Sequence, residues 1–155
     1  MKNFVKVALV AGALLAPAQA FAVTGNVIFN ADVNNTCAIT IVDAGILTTN
    51  VGQTQLSSTN AGGQAGSATL AVTSAAYSVT VNAPTAFDSS PATAGVSTFT
   101  ASYGTTGATV LAAGQTTPKP LSVGTTNVSV HMAATKAVGS YPTGTYAATV
   151  VLRCE

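Results

Sequence analysis

The chain has 155 residues, of which 48% are hydrophobic and only 6% are charged, with no tryptophan and a single histidine. The formal net charge is +1, and the five basic residues, four lysines and one arginine, are scattered, which excludes a basic patch for nucleic acid and a polybasic segment for anionic lipid. The length fits one domain, whose solubility depends on neutral Thr, Ser, Asn and Gln side chains.

The first 22 residues have the pattern of a secretory signal peptide. Lys2 and Lys6 precede an apolar run over residues 7–15, and Ala20 and Ala22 each offer a cleavage site. A transmembrane helix is the alternative, but the run is shorter than the ~20 residues that spanning requires. We therefore predict cleavage after Ala20 or Ala22 and export from the cytoplasm.

The stretch 25–42 alternates apolar and polar residues over a much longer distance than a typical strand. One face carries Val27, Phe29, Ala31, Val33, Cys37, Ile39 and Ile41. Such a strand near a mature N-terminus either starts its own sheet or completes the sheet of another molecule. We divide the chain here into an N-terminal extension, residues 23–34, and a body, residues 35–155, whose first strand covers residues 37–42.

Short alternating segments separated by Gly and Pro turns follow along the body. They lie at residues 68–72, 77–81, 98–103, 110–111, 128–132 and 146–154. The first two are predicted to form a hairpin around Ser74 and Ala75. No segment after the leader has a helical period, so we expect no helix. Seven or eight such strands predict an immunoglobulin-like β-sandwich, with a closed β-barrel as the alternative.

Residues that support catalysis are scarce. His131 lies in an alternating strand, on the face opposite to the apolar residues, and two cysteines do not complete a zinc site with it. The carboxylates are scattered singly, and no Gly-x-Ser-x-Gly or phosphate-binding motif is present. We therefore predict that the protein is not an enzyme and has no catalytic residue, cofactor, metal site or small-molecule substrate.

The two cysteines of an exported chain are predicted to form one disulfide, Cys37–Cys154. Two free thiols or an intermolecular bond are the alternatives. An intramolecular bond closes nearly the whole body into one loop, which is worth roughly 4–5 kcal/mol on a chain-entropy estimate.

Both ends of the chain resemble bacterial pilin-like domains. The segment 25–29, followed by Val33 and Cys37, resembles the start of fimbrial subunits that are assembled by the chaperone-usher pathway. The segment 141–150 is similar to the Pro-x-Gly-x-Tyr ending of the spore coat protein U group. The resemblance implies a sandwich that lacks its final strand and receives the N-terminal extension of a neighbouring subunit. The donated side chains are then Val27, Phe29, Ala31 and Val33.

The resemblance also implies partners and a location. The partners are other copies of the protein or related pilin subunits, a periplasmic chaperone and an outer-membrane usher, and the location is the periplasm followed by the cell surface. The alternative function is a self-contained secreted adhesin or coat domain that does not polymerise. In that case Val27 and Phe29 are covered by the chain's own sheet.

The position of the second cysteine departs from the pilin pattern, in which the first-strand cysteine pairs about one strand later. Here Cys154 is the sole partner for Cys37. Strands that flank an empty slot lie roughly 9–10 Å apart, whereas a disulfide needs Cα atoms within about 7 Å. A Cys37–Cys154 bond therefore requires that the first and last strands either touch, which closes the slot, or converge at one end only.

Overall fold

The computed structural model describes residues 27–155, so the predicted signal peptide, Gly25 and Asn26 lie outside the described residues. Residues 27–32 belong to a unit separate from the one formed by Val33–Glu155. Residues 27–36 lie in no strand. The rest of the described chain is all β, with a seven-stranded sheet, a three-stranded sheet and no helix. The predicted fold class is confirmed at this level.

Ten strands are present in the described part of the chain. They are β1 Cys37–Asp43, β2 Thr48–Thr49, β3 Gln55–Ser57, β4 Gly66–Val72, β5 Ser78–Asn82, β6 Ser97–Gly107, β7 Leu111–Gln115, β8 Lys119–Pro120, β9 Gly124–Lys136 and β10 Val151–Cys154. The sequence predicted seven or eight. Part of the excess arises because β1 and β2 lie along one interrupted edge, and β3 and β4 pair with successive halves of β9.

The large sheet is built around β9, the longest strand. On one side β9 pairs with β6, which pairs in turn with β7. On its other side it pairs with β4 along its first half and with β3 along its second half. Next to these lie β1, paired with β4, and β2, paired with β3. A bridge between Ile46 and Gln64 connects the two pairs, so residues 37–49 form one interrupted edge of the sheet.

The small sheet has the order β10-β5-β8. The predicted hairpin of β4 and β5 is wrong, because β4 lies in the large sheet and β5 in the small one. Their apolar faces meet across the core, where Val72 of β4 and Val79 of β5 belong to the same buried cluster. A hairpin would have placed both strands in a single sheet. The last strand is also shorter than the predicted segment 146–154.

The core fills the space between the two sheets, as in a β-sandwich. Its first cluster contains Leu70, Val79, Tyr103 and Leu121, and the second is formed by Leu56, Met132, Ala134 and Tyr141. The aromatic rings of Phe87, Phe99, Tyr141 and Tyr146 pack edge to face around the second cluster. The core therefore extends along the whole sandwich.

The predicted disulfide is confirmed. Cys37, at the start of β1, is bonded to Cys154, at the end of β10, with a Cα–Cα distance of 6.3 Å. The bond joins the edge of the large sheet to the edge of the small sheet and closes a loop across a sequence separation of 117. A structural disulfide of this kind is typical of an oxidising, extracytoplasmic compartment.

Removal of the disulfide is expected to destabilise the body strongly. Replacement of both cysteines by alanine should lower the free energy of unfolding by about 4–5 kcal/mol, because the unfolded chain regains the entropy of a long loop. Urea denaturation of the oxidised protein and the variant measures the difference. Reductant should destabilise the oxidised protein to a similar degree and leave the variant unchanged; an effect of reductant on the variant would contradict this account.

Tyr103 links the two sheets through its hydroxyl group. The side chain is fully buried, and its hydroxyl shares a proton between the carbonyl oxygens of Val79, at 2.9 Å, and Thr117, at 2.8 Å. Burial raises the pKa of Tyr103 above the ordinary value of 10.0. The hydroxyl therefore stays protonated in the folded protein at a pH where an unfolded tyrosine ionises.

Tyr103→Phe is expected to lower the free energy of unfolding by about 1–3 kcal/mol, because the buried Val79 carbonyl loses its side-chain donor and the Thr117 carbonyl loses the same hydrogen bond. The raised pKa gives a second expectation. The stability that the neutral hydroxyl provides is complete below pH 10.0 and is lost as pH rises through the folded-state pKa. Urea midpoints measured on both sides of pH 10.0 should therefore fall less in the variant than in the wild type. Equal losses would contradict this role for Tyr103.

Candidate functional site

The outer edges of the two sheets face each other across an open groove. In the described chain β1 pairs with β4 alone and β10 pairs with β5 alone, so neither strand is hydrogen-bonded to the other. They meet at the disulfide, beyond which a cavity separates Ile41 from Val150 and Leu152. Of the two arrangements that the sequence allowed, the strands therefore adopt the second and converge at one end.

The groove consists of two adjoining cavities of about 180 Å³ and about 300 Å³ that share Leu47. One wall follows the edge of the large sheet from Ile41 to Thr49, and the other follows the chain from Gly144 to Leu152. The apolar lining of the first cavity is Ile41, Leu47, Ala68, Val130, Met132, Val150 and Leu152. Leu56, Tyr141 and Tyr146 line the second cavity. Thr49, Gln53 and Thr143 line the second cavity as well, so the groove between the two backbone edges is mainly apolar in the first cavity and partly polar in the second.

The inner face of β1 is uncovered. Residues directly opposite each other on paired strands share a face, and Ile41 lies opposite Ala68 while Ile39 lies opposite Leu70. Leu70 is 0% exposed and Ala68 is 3% exposed, yet Ile41 is 67% exposed. The covering layer therefore ends before it reaches the edge strand. One further strand along the groove would cover Ile41.

Polar groups line both cavities of the groove. The carboxylate of Asp43 accepts a hydrogen bond from the Ser67 hydroxyl at 2.8 Å. At the other end, burial and the neighbouring Tyr141 raise the pKa of Tyr146 above 10.0, so its hydroxyl is neutral at physiological pH and donates to the Pro142 carbonyl at 2.8 Å. An occupant of the groove therefore meets apolar side chains, neutral hydroxyls, the side chain of Gln53 and one carboxylate.

The predicted donor residues lie outside any strand of the described chain. Val27 is 76% exposed and Phe29 is 91% exposed, and Ala31 and Val33 are exposed as well. Val27 and Val33 are six positions apart, which is about 20 Å in an extended chain.

The sequence correctly predicted the disulfide, and it implied a groove through the pilin resemblance alone, without indicating which residues line it. The apolar character of Ile41, Val130 and Met132 was evident, but each appeared as an ordinary core position of an alternating strand. Their position beside a missing strand depends on which strands become edges. The one signal available in the sequence was that the two cysteines, Cys37 and Cys154, lie near the two ends of the body.

His131 is half-buried, and its Nδ1 lies 3.1 Å from the hydroxyl oxygen of Ser58. That oxygen also accepts the backbone N–H of Met132 at 3.1 Å, so the pair holds the chain where β3 leaves β9. Among residues 27–155, no three His, Cys, Asp or Glu side chains form a group that could hold a metal. Over the same range, no helix is long and apolar enough to cross a membrane.

Comparison of the chain with protein-family models, with curated proteins and with solved structures found no match.

The exposure of Ile41 predicts an unusual response to mutation. Ile41→Ala should change the free energy of unfolding of the dilute monomer by less than about 0.5 kcal/mol, as at an exposed site. Leu70→Ala, the matched control on the neighbouring strand, should lower it by about 2–5 kcal/mol, because it creates a cavity in a packed core. Urea denaturation measures both values. A comparable loss for the two variants would mean that the groove is closed in solution.

Proposed function

We propose that this protein is a structural subunit of a fimbria-like polymer at the cell surface. The N-terminal extension of one copy is added as a strand to the groove of the next copy. The observation that carries the proposal is the presence, within one chain, of a groove between two unpaired strand edges and of an alternating apolar segment that lies in no strand. The body is then an incomplete immunoglobulin-like sandwich of the pilin-like kind.

The energy of assembly comes from two sources. The backbone of the added strand pairs with the vacant edges of β1 and β10, which fixes its position. Its alternate side chains become buried, and each of Val27, Phe29 and Val33 contributes roughly 1.5–3 kcal/mol on full burial. Part of this gain is offset by the loss of translational freedom and by ordering of the extension. Several apolar anchors are therefore needed for a stable contact.

The disulfide determines how the added strand is placed. It links the two walls at the Cys37–Cys154 end, so an incoming strand enters from the end lined by Tyr141 and Tyr146. Because the donating and accepting surfaces differ, each contact leaves one groove and one extension available. Repetition of such a contact gives an open filament rather than a closed dimer.

The proposal extends to partners and location. An exposed apolar groove needs protection before assembly, which is the role of a periplasmic chaperone, and an outer-membrane usher would order the subunits at the surface. The disulfide agrees with passage through an oxidising compartment. The low content of charged residues, 6%, suits a subunit that associates with its own copies.

The alternative is a self-contained adhesin or coat domain. It requires that the body be complete and that Val27 and Phe29 be covered by its own sheet. The exposure of Ile41, 67%, supports the polymer, because a complete body would cover that inward-facing side chain.

A truncated chain and a synthetic peptide test the proposal. A protein that lacks residues 23–34 should fold as a monomer, fail to form filaments and bind a peptide of residues 25–34. Phe29→Asp in the full chain should abolish filaments, because it places a charge in an apolar channel. Ile28→Asp is the matched control on the opposite face of the same segment and should assemble normally.

Assembly is followed on non-reducing gels with and without strong heating. A heat-sensitive ladder of multiples is the expected result, since strand addition is non-covalent. Filaments from the truncated chain, or equal effects of the two aspartate variants, would refute donation by this face of the extension. A ladder that disappears only with reductant would indicate intermolecular disulfides instead.

A further inference from the structure

The small sheet has a second edge, which lies away from the groove. This edge is formed by β8, which pairs with the central strand β5 and with no other strand of the described chain. The pairing continues one residue beyond β8, because the backbone N–H of Leu121 donates to the Tyr77 carbonyl at 2.8 Å. We call residues 118–122 the far edge. Its outer side is where a strand of another molecule could be added to the sheet.

The hydrogen bonds show which backbone groups of the far edge point outwards. Successive residues of an antiparallel strand point their backbone groups alternately towards the partner strand and away from it. Leu121 points towards β5, so positions 118, 120 and 122 point outwards. The residue opposite Pro120 agrees with this assignment. It is Ser78, whose backbone N–H and carbonyl are both bonded to Glu155, on the other side of β5, at 2.7 and 3.0 Å.

The three outward positions offer no backbone donor to another strand. Pro118 and Pro120 have no N–H group. The N–H of Ser122 already donates to the hydroxyl oxygen of Thr109 at 2.8 Å. A strand placed against the far edge would therefore meet carbonyl acceptors only, and roughly half of the bonds of a regular ladder would be missing.

The side chain of Lys119 adds a second obstacle at the same edge. Opposite residues of paired strands share a face, and Lys119 lies opposite Val79, which is 0% exposed in the core. The lysine is therefore on the inner face of the small sheet, where it is half-buried. A sandwich that grew past this edge would remove the ammonium group from water, which is costly for an unpaired charge. An inward-facing charge is one of the ways in which edge strands avoid pairing.

The neighbouring edge of the large sheet is irregular. It is formed by β7, which residues 116–118 connect to β8. β7 pairs with β6 through Leu111 and Gln115, with a shift of register between them. Within this irregularity the side-chain amide of Gln115 donates to the Ala112 carbonyl at 3.1 Å. Such a bulge disrupts the row of backbone groups that an added strand needs.

The two edges beside the groove differ from these. β1 is regular from Cys37 to Ile41 and β10 is regular from Val151 to Cys154, and neither strand contains proline. Their backbones can therefore form a complete ladder with an added strand. The two sides of the sandwich are thus unequal, with regular edges at the groove and blocked edges at β7 and β8.

We propose that the far edge prevents strand addition, so that a second copy of this chain attaches through the groove alone. The residues responsible are Pro118, Lys119 and Pro120. The inference concerns the body and goes beyond the proposed function. Its consequence for the polymer, one added strand per subunit and an unbranched filament, rests on the proposed function.

The test restores the missing donors in the full mature chain. Pro118→Thr and Pro120→Thr each return one outward N–H group, and Lys119→Thr removes the inward charge. Every chain also carries Phe29→Asp, which suppresses assembly through the groove. Pro84→Thr is the matched control, because this proline lies in the connection between β5 and β6 and in neither strand. Sedimentation velocity measures the molar mass, and hydrogen exchange measures protection of the amides at positions 118 and 120.

The Phe29→Asp parent and the control should remain monomeric. The double proline variant should form a dimer through its far edge, with an association constant raised about tenfold by the two restored backbone donors. The amides at positions 118 and 120 should be protected in the dimer and should exchange rapidly after dilution to monomer. Lys119→Thr, added to the double variant, should strengthen the dimer further. Pro120→Thr alone should shift association in the same direction, and it tests the inference if the double variant folds poorly.

The outcomes separate this inference from the proposed function. A folded variant that stays monomeric, or that dimerises without protection at positions 118 and 120, overturns the role of the far edge. Equal dimerisation of the Pro84→Thr control overturns it as well. A labelled peptide of residues 25–34 should bind the Phe29→Asp parent once per chain. Failure to bind overturns the proposed function and leaves the far-edge inference standing, whereas two peptides per chain overturn the far-edge inference.

Discussion

The structure depends on one covalent link between two strand edges. The disulfide between Cys37 and Cys154 fastens the first strand of the body to the last, although these strands belong to different sheets and share no ladder in the part of the chain described. The disulfide stabilises the body at one end of the groove, whereas the edges formed by β1 and β10 separate beyond it. An exposed apolar edge normally invites association. Here the exposed edges of the two sheets form the two walls of a channel.

The channel and the extension have complementary physical properties. The channel offers apolar side chains between two rows of vacant backbone donors and acceptors, and the segment 27–33 offers alternate apolar side chains on an unpaired backbone. Apolar side chains are exposed on both, Ile41 in the channel and Val27 and Phe29 in the segment.

Much of the secondary structure could be predicted from alternation alone. The strands that contain Leu70, Val79, Tyr103 and Val128 were placed correctly because burial of one face imposes a period of two. The hairpin around Ser74 was wrong because alternation gives the buried face of a strand and does not give its partner. The connection after Val72 crosses to the other sheet, where both apolar faces can share one core.

By itself the sequence determined the all-β class and the apolar face of the extension, because both follow from residue type and local spacing, and it indicated the disulfide because the chain has two cysteines. The tertiary structure alone decided which strands became edges, and therefore that Ile41 lies uncovered while its neighbour Ala68 is buried. The same holds for Pro118 and Pro120, which lie at an edge because β8 pairs with β5 alone in the described chain. Strand pairing is a non-local property, so a groove between two edges becomes visible only after the whole chain has folded.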